Sequence, residues 1–323
     1  MSKHFIITVD TEGDYIWHGV QRSYGIREIK VENAKYIERF QNLCRKYNFV
    51  PTYLVNYEMA FAEPFVSRAK KWAKDGECEI GMHLHAWNTP PIFELPYRRK
   101  SHNPYSGDYP KDVLFEKIKT MTDVIESQFG VRPVSHRSGR WYLDENVIKF
   151  LSELGYIADC SVTPGVSWKP HIGYKIYGSD YTKYPAQVFF LNVGEGGYKI
   201  LEVPPSIVIK KPVGVFERIL GKILTGRKKM PITAWLRPNG RNIADMLSIV
   251  ENAETEDKYL EFMIHSSELM PGGSPTFPNK AAIEKLYGDM EKLFTKISQS
   301  YSGIALRDFA KIRASETRTV ISL

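Results

Sequence analysis

No apolar run in the 323-residue sequence approaches the ~18 residues that a membrane-spanning helix requires. A secretory leader is not expected either. Met1-Ser2-Lys3-His4 passes straight into Phe5–Val9 and then into acids, too short an apolar stretch for a leader's core. Cysteine is scarce: Cys44, Cys78 and Cys160 are odd in number and lack CxxC spacing, which argues against a disulfide framework or a cysteine-ligated zinc site. Reduced thiols and a cytoplasmic location, at most at an inner membrane surface, are the expectation. There is no low-complexity tract and no repeat at a fixed period, so a solenoid or propeller is not expected.

What is present is an apolar fraction of 43%, enough for a large core, and a net charge of +7. A basic surplus can serve nucleic acid, anionic lipid or phosphorylated ligands, or simply solubility. Here it is dispersed except over 210–241, which holds Lys210, Lys211, Arg218, Lys222, Arg227, Lys228, Lys229, Arg237 and Arg241. No nucleic-acid partner is expected. Residues 212–236 mix these bases with Val213, Phe216, Ile219, Leu220, Ile223 and Leu224. That pattern fits a packing helix or a peripheral membrane contact.

Short β-branched runs alternate with helical periodicity along the chain. Strands are predicted at 4–9, 49–55, 77–83, 133–137, 156–160, 199–203, 259–265 and 303–306. Helices are predicted at 32–47, 64–75, 111–128, 144–154, 213–225, 241–254, 279–299 and 307–313. Loops are predicted over 88–110, and loop plus hairpin over 161–197. Such alternation implies a parallel sheet of about seven strands with helices outside, an α/β fold whose site lies at the strands' C-terminal ends.

Those ends are where the chemistry-bearing residues fall. Asp10, His83, Arg137, Asp159 and His265 each close a different predicted strand. His83 and His85 are two residues apart, so on an extended strand they face the same way and can share a metal. Neutral imidazole suits zinc first, with Fe²⁺, Co²⁺ or Ni²⁺ compatible, and a third ligand would be a carboxylate. The segment Asp10-Thr11-Glu12-Gly13-Asp14 offers three acids, with Glu12 and Asp14 both open as that ligand.

In order and wording these segments resemble the polysaccharide deacetylases of the NodB-homology type, carbohydrate esterase family 4. The resemblance runs from residue 4 to about 310. It rests on Thr8–Asp14, Glu79-Ile80-Gly81-Met82-His83, Arg137-Ser138-Gly139-Arg140-Trp141, Asp159 and Met263-Ile264-His265. Two departures stand out. The family's adjacent aspartates are spread apart here, and its second histidine, four residues after the first, is replaced by Trp87, with His85 nearer. The wording looks like a divergent branch of bacterial O-antigen or surface-polysaccharide biosynthesis.

The resemblance implies a deformed (β/α) barrel over 1–323 as one catalytic domain, with loop insertions around 88–110 and 161–241. It implies a metal-dependent hydrolase that removes an N-acetyl group from an aminosugar, free, nucleotide-linked or lipid-linked. Asp10 would be the general base, Arg137 its partner, His265 the general acid, and Asp159 the group that orients His265. Trp87, Arg140 and Trp141 would meet the sugar. A deformylase, another N-acyl amidohydrolase, or an inactive glycan-binding member are the alternatives.

Overall fold

A computed structural model describes residues 3–14, 29–96, 103–194, 197–211, 232–254 and 259–323. The helix expected over 213–225 and residues 97–102 of the loop expected over 88–110 lie outside these.

Seven parallel strands form the main sheet. In chain order they are β1 (His4–Thr11), β2 (Pro51–Val55), β3 (Glu79–Leu84), β4 (Ser135–Ser138), β5 (Ala158–Asp159), β7 (Tyr198–Glu202) and β10 (Leu260–His265). Their spatial order is β10-β1-β2-β3-β4-β5-β7. Beyond β7 the sheet continues antiparallel through β6 (Phe189–Val193), which pairs in parallel with β12 (Val320–Ser322). Pro51 opens β2, the one position in a central strand where its missing N–H costs little.

Side-chain parity divides the core in two. Phe5, Ile7 and Val9 face outward into the main cluster with Ile37, Phe40 and Leu43 of α1 (Ile37–Lys46). Ile6, Leu54, Ala158, Leu201 and Val203 form a second cluster. These belong to β1, β2 and β5 and to β7 with the residue that follows it, strands that are not all neighbours, so they meet across the inside of a curved sheet. Leu306, Phe309 and Ala310 of α7 (Leu306–Glu316) join that cluster and plug it from below.

The curve closes at a seam. After β7 the chain crosses to β10, where Ser206 N donates to Glu261 O at 3.1 Å and Met263 N donates to Leu236 O at 3.2 Å. The result is the deformed (β/α) barrel. Helices α2 (Phe65–Lys74), α3 (Lys111–Phe129), α4 (Glu145–Glu153), α5 (Ile243–Glu254) and α6 (Lys280–Ile297) complete the helical complement described. Asp144 caps α4 by accepting from Val147 N, and Gly130 ends α3 at φ +73°.

Several local expectations needed correction. The strand expected at 303–306 is the two-residue β11 (Ser302–Gly303), because Leu306 already starts a helix. The hairpin expected within 161–197 falls at its end, where β6 pairs antiparallel with β7; a ribbon of β8 (Ile207–Lys211) and β9 (Ile232–Trp235) was not anticipated, nor was β12. These three lie at the periphery, where a half-exposed strand loses its continuous apolar signature.

Candidate metal centre

The inward-facing residues at the barrel's C-terminal end are Asp10 of β1 and Glu12 just beyond it, His83 of β3 and His85 just beyond it, Arg137 of β4 and His265 of β10. All six are buried. Glu12 Oε2 lies 3.1 Å from His85 Nε2 and 3.5 Å from His83 Nε2, and the two ring nitrogens are 2.9 Å apart. Among the described residues these three are the one group of His, Cys, Asp or Glu close enough together to hold a metal ion.

The donor set suits a divalent cation. His83 Nδ1 faces the Arg137 carbonyl oxygen at 3.0 Å, and a carbonyl only accepts. With a cation bound, a neutral His83 would keep its proton on Nδ1 and offer a bare Nε2 on the side of Glu12, as a metal-binding imidazole does. Glu12 is braced through its backbone: its N–H meets Ser266 Oγ at 3.1 Å, and its carbonyl accepts from Asn33 Nδ2 at 2.7 Å. Burial opposes ionisation of Glu12, but His265, His83 and His85 outweigh it and hold the carboxyl well below its usual range.

His85 fits because of a missing atom. A Cβ on Gly139 would stand 2.6 Å from Leu84 O and 2.7 Å from His85 Cδ2, so only glycine lets the ring lie against the end of β4. Trp87 stacks on the His85 ring at 4.3 Å between centroids. The turn that follows is pinned by Lys117, whose Nζ donates to Thr89 O and Pro91 O, while Thr89 Oγ1 donates to His85 O at 3.0 Å. Burial pushes Lys117 down to about 8.

Arg137 crosses the barrel. It donates to Asp10 Oδ1 at 2.6 Å, to Glu261 Oε1 and Thr8 Oγ1 at 2.8 Å each, and to Cys160 O at 2.9 Å. Burial would raise Asp10, but Arg137, His83 and His265 reverse this and hold its carboxyl below the usual value. Oδ1 is engaged, which leaves Oδ2 directed at His265 Nε2, 3.6 Å away.

On its far side, His265 Nδ1 lies 3.2 Å from Glu268 Oε2 and 3.0 Å from Arg237 Nη2, and Arg237 bridges to Glu268 at 3.1 Å. Nδ1 thus meets an acceptor when protonated and a donor when bare. Both neighbours fix the orientation of the ring. Despite burial, Arg237 and His265 hold Glu268 down to about 2.

Of the expected site residues, Asp10, Glu12, His83, His85, Arg137 and His265 come together. Asp159 does not. It is one position out of phase with the inward residues of β5, so it points to the outer face. There its Oδ2 lies 2.5 Å from His136 Nδ1, and its Oδ1 accepts from Ser161 N at 2.8 Å. Glu202 lies in register beside it. Burial pushes Glu202 well up, and the neighbouring Asp159 charge adds to this. The group beside His265 is Glu268, not Asp159. Asp14 is also outside the cluster: its buried carboxylate lies against the backbone of Glu32 and Asn33, which opens the helical turn before α1. Of the two open acids, Glu12 is the one beside the histidines.

Arg140 turns away from the centre. It donates to Asn103 O and to Ile172 O and covers the Tyr105 ring at 3.9 Å, tying two loops together. Trp141 is closer. Arg140 and Trp141 have φ of 58° and 60°, a left-handed pair that is uncommon for side chains with a Cβ. This turn sets the Trp141 ring 5.0 Å from the Arg137 guanidinium and parallel to Trp168.

Glu268, Arg237, Glu261, Asn33 and Lys117 were missed by sequence reasoning. Glu268 carried a usable signal, since it follows a strand-end histidine by three residues, the spacing of a capping box. The others meet the site only through tertiary contacts.

No family model matches the chain, and no curated protein matches it. Solved structures do resemble it. A proposed polysaccharide deacetylase from Mycobacterium smegmatis superposes with a TM-score of 0.60 at 14% identity, over 98% of this chain and 92% of that one. A PuuE allantoinase gives 0.57 at 12% identity, over 98% and 92%. A 4-alpha-glucanotransferase from Thermococcus litoralis gives 0.55 at 12% identity, over 99% of this chain but 40% of that one. At such identities the likeness is one of fold.

Proposed function

We propose that the protein is a metal-dependent carbohydrate N-deacetylase, a hydrolase of the polysaccharide deacetylase type, acting over 1–323 as one catalytic domain. The observation that carries this is the meeting of Glu12, His83 and His85 beside an arginine-held aspartate and a carboxylate-held histidine, at the mouth of a barrel. The fold shared with the Mycobacterium smegmatis protein supports the same reading.

Glu12, His83 and His85 would hold the cation, and zinc is the first candidate for two imidazoles and a carboxylate. A divalent ion bound there supplies Lewis acidity and a lowered pKa for a water molecule. The rest is the work of this chain. Asp10 Oδ2 takes a proton from the attacking water while Arg137 holds Oδ1 and keeps the carboxylate ionised. Water adds to the amide carbonyl carbon, and the C–N bond then breaks. His265 Nε2 gives its proton to the departing amine, and Glu268 stabilises the protonated ring beforehand. Acetate and a free aminosugar result. Trp87 and Trp141 offer apolar ring surface to a sugar beside the centre. The substrate is an N-acetylated aminosugar of a bacterial surface glycan of the O-antigen type.

Metal analysis of the purified protein, followed by an acetate-release assay on N-acetylated aminosugars, tests this. A bound divalent ion near one per chain and acetate release abolished by chelation are expected. A protein that binds no divalent ion after reconstitution and frees no acetate is not this enzyme.

A further inference from the structure

Strand β2 lies between β1 and β3, the two strands that bring Glu12, His83 and His85 to the centre. Its inward residue at the same level is Asn56. The Asn56 N–H donates to Thr11 O at 3.0 Å, so the β2 ladder continues through it. Side-chain alternation then places Asn56 on the inner face with Leu54. One residue beyond the pairs Thr11–Val55 and Val55–Met82, it stands level with Glu12 on one side and His83 on the other. Like those two, it is buried.

One half of its amide has a structural task. Oδ1 accepts from Met59 N at 3.2 Å, and the Asn56 carbonyl accepts from Ala60 N at 3.1 Å, which closes the turn into Met59–Phe61. A backbone N–H only donates, so the atom facing Met59 is the oxygen and the orientation of the amide is settled. The other half, Nδ2, meets no acceptor among the described residues. Burying an unpaired N–H is costly, and serine would close the same turn without that cost. The turn alone therefore does not account for asparagine.

We propose that Asn56 is a further catalytic residue, whose Nδ2 donates to the acyl oxygen of the amide under attack as that oxygen gains negative charge. The assignment rests on the hydrolase reading given above. An amide nitrogen has no lone pair to offer a cation, so Nδ2 is not a metal ligand. Its complement is an oxygen entering beside Glu12 and His83. Arg137 is engaged by Asp10, Thr8, Glu261 and Cys160, and His265 faces Asp10 and Glu268. Among the described side chains at this level, Asn56 is the amide donor open to that oxygen. A fixed donor in a site closed to water favours the charged oxygen over the neutral carbonyl, and that difference is what speeds the step.

Two variants that keep the turn test this. Asn56→Ser retains an acceptor for Met59 N, but its shorter side chain does not reach the place of Nδ2. Asn56→Asp keeps the shape and replaces the donor by an acceptor. Each is loaded with zinc and assayed for acetate release from an N-acetylated aminosugar. Calorimetry measures binding of acetohydroxamate, whose acyl oxygen stands in for that of the substrate. In Asn56→Ser the melting temperature of the metal-free protein and the zinc content should match wild type. Its kcat should fall about 10²–10³-fold at little-changed KM. Acetohydroxamate should bind about tenfold more weakly. Asn56→Asp should lose at least as much turnover. Wild-type kcat and acetohydroxamate affinity in both variants overturn the proposal. So does a loss of activity that tracks a fall in melting temperature and zinc content, which would make Asn56 a structural residue only. A wild type that takes up zinc and frees no acetate sinks the hydrolase reading and this role with it, whereas an active wild type with equally active variants removes the role of Asn56 alone.

Discussion

Arg137 Nη1 and Asp10 Oδ1 lie 2.6 Å apart inside the barrel, where neither side chain reaches solvent. The same guanidinium also meets Glu261 at 2.8 Å, so one cation serves two buried carboxylates. Removing it strands both. Arg137→Met should cost roughly 3–5 kcal/mol of stability, read from denaturant midpoints. Arg137→Lys should fall between, because a point charge cannot bridge both acids at once.

Asp10→Asn keeps the shape and an acceptor for Arg137 but removes the proposed base. Metal content should stay at the wild-type level while kcat drops about 10²–10⁴-fold. Near-normal turnover in this variant would show that another group takes the proton.

Gly139→Ala adds a methyl group where Leu84 O and His85 Cδ2 already lie within 2.7 Å. The strand carbonyl cannot yield cheaply, so the imidazole must move. Metal affinity should fall about 10–100-fold, as for other groups that orient a ligand. Titration with a chromophoric chelator measures it. A variant that binds metal as tightly as wild type would remove the role given to this glycine.

Glu268 gives a pH dependence with a definite sign. Its carboxyl titrates near 4.5 when unperturbed and is held down to about 2 in the fold by Arg237 and His265. Between those values the unfolded chain binds more protons than the folded one, so stability from this group is present above 4.5 and lost as pH falls toward 2. Wild type should exceed Glu268→Gln by a few kcal/mol at neutral pH, and the gap should shrink across that window. A gap that stays constant from neutral pH down to the acid end would mean the charge is not what matters.

Asp159→Asn separates scaffold from chemistry. Breaking the His136 pair should cost roughly 3 kcal/mol or more of stability. Turnover measured well below the melting temperature should be unchanged. A large loss of kcat in a folded variant would return Asp159 to the catalytic set.

The barrel was legible because its strands are buried on both faces and read as short β-branched runs between amphipathic helices. Asp10, His83, Arg137 and His265 were legible because each ends such a run. His85 followed from the two-residue strand period alone, and it does lie beside His83. The same period misled for Asp159: β5 has only two residues, too few for its phase to be read, and the acid turned out to face the helices. Glu12 and Asp14 could not be told apart because the choice depends on where the chain leaves β1. Arg237 belongs to the ribbon's return path, which no local pattern marks.

Adjacent positions of β4 carry His136 to one side of the sheet and Arg137 to the other, each into its own set of acids. A slip of one residue would put a guanidinium among the packed helices and leave Asp10 and Glu261 facing an imidazole across the barrel. Both errors strand buried charge, so misaligned pairings of this short strand are penalised twice. The same buried ion pairs thus favour one alignment of a four-residue strand that has little hydrophobic pattern of its own.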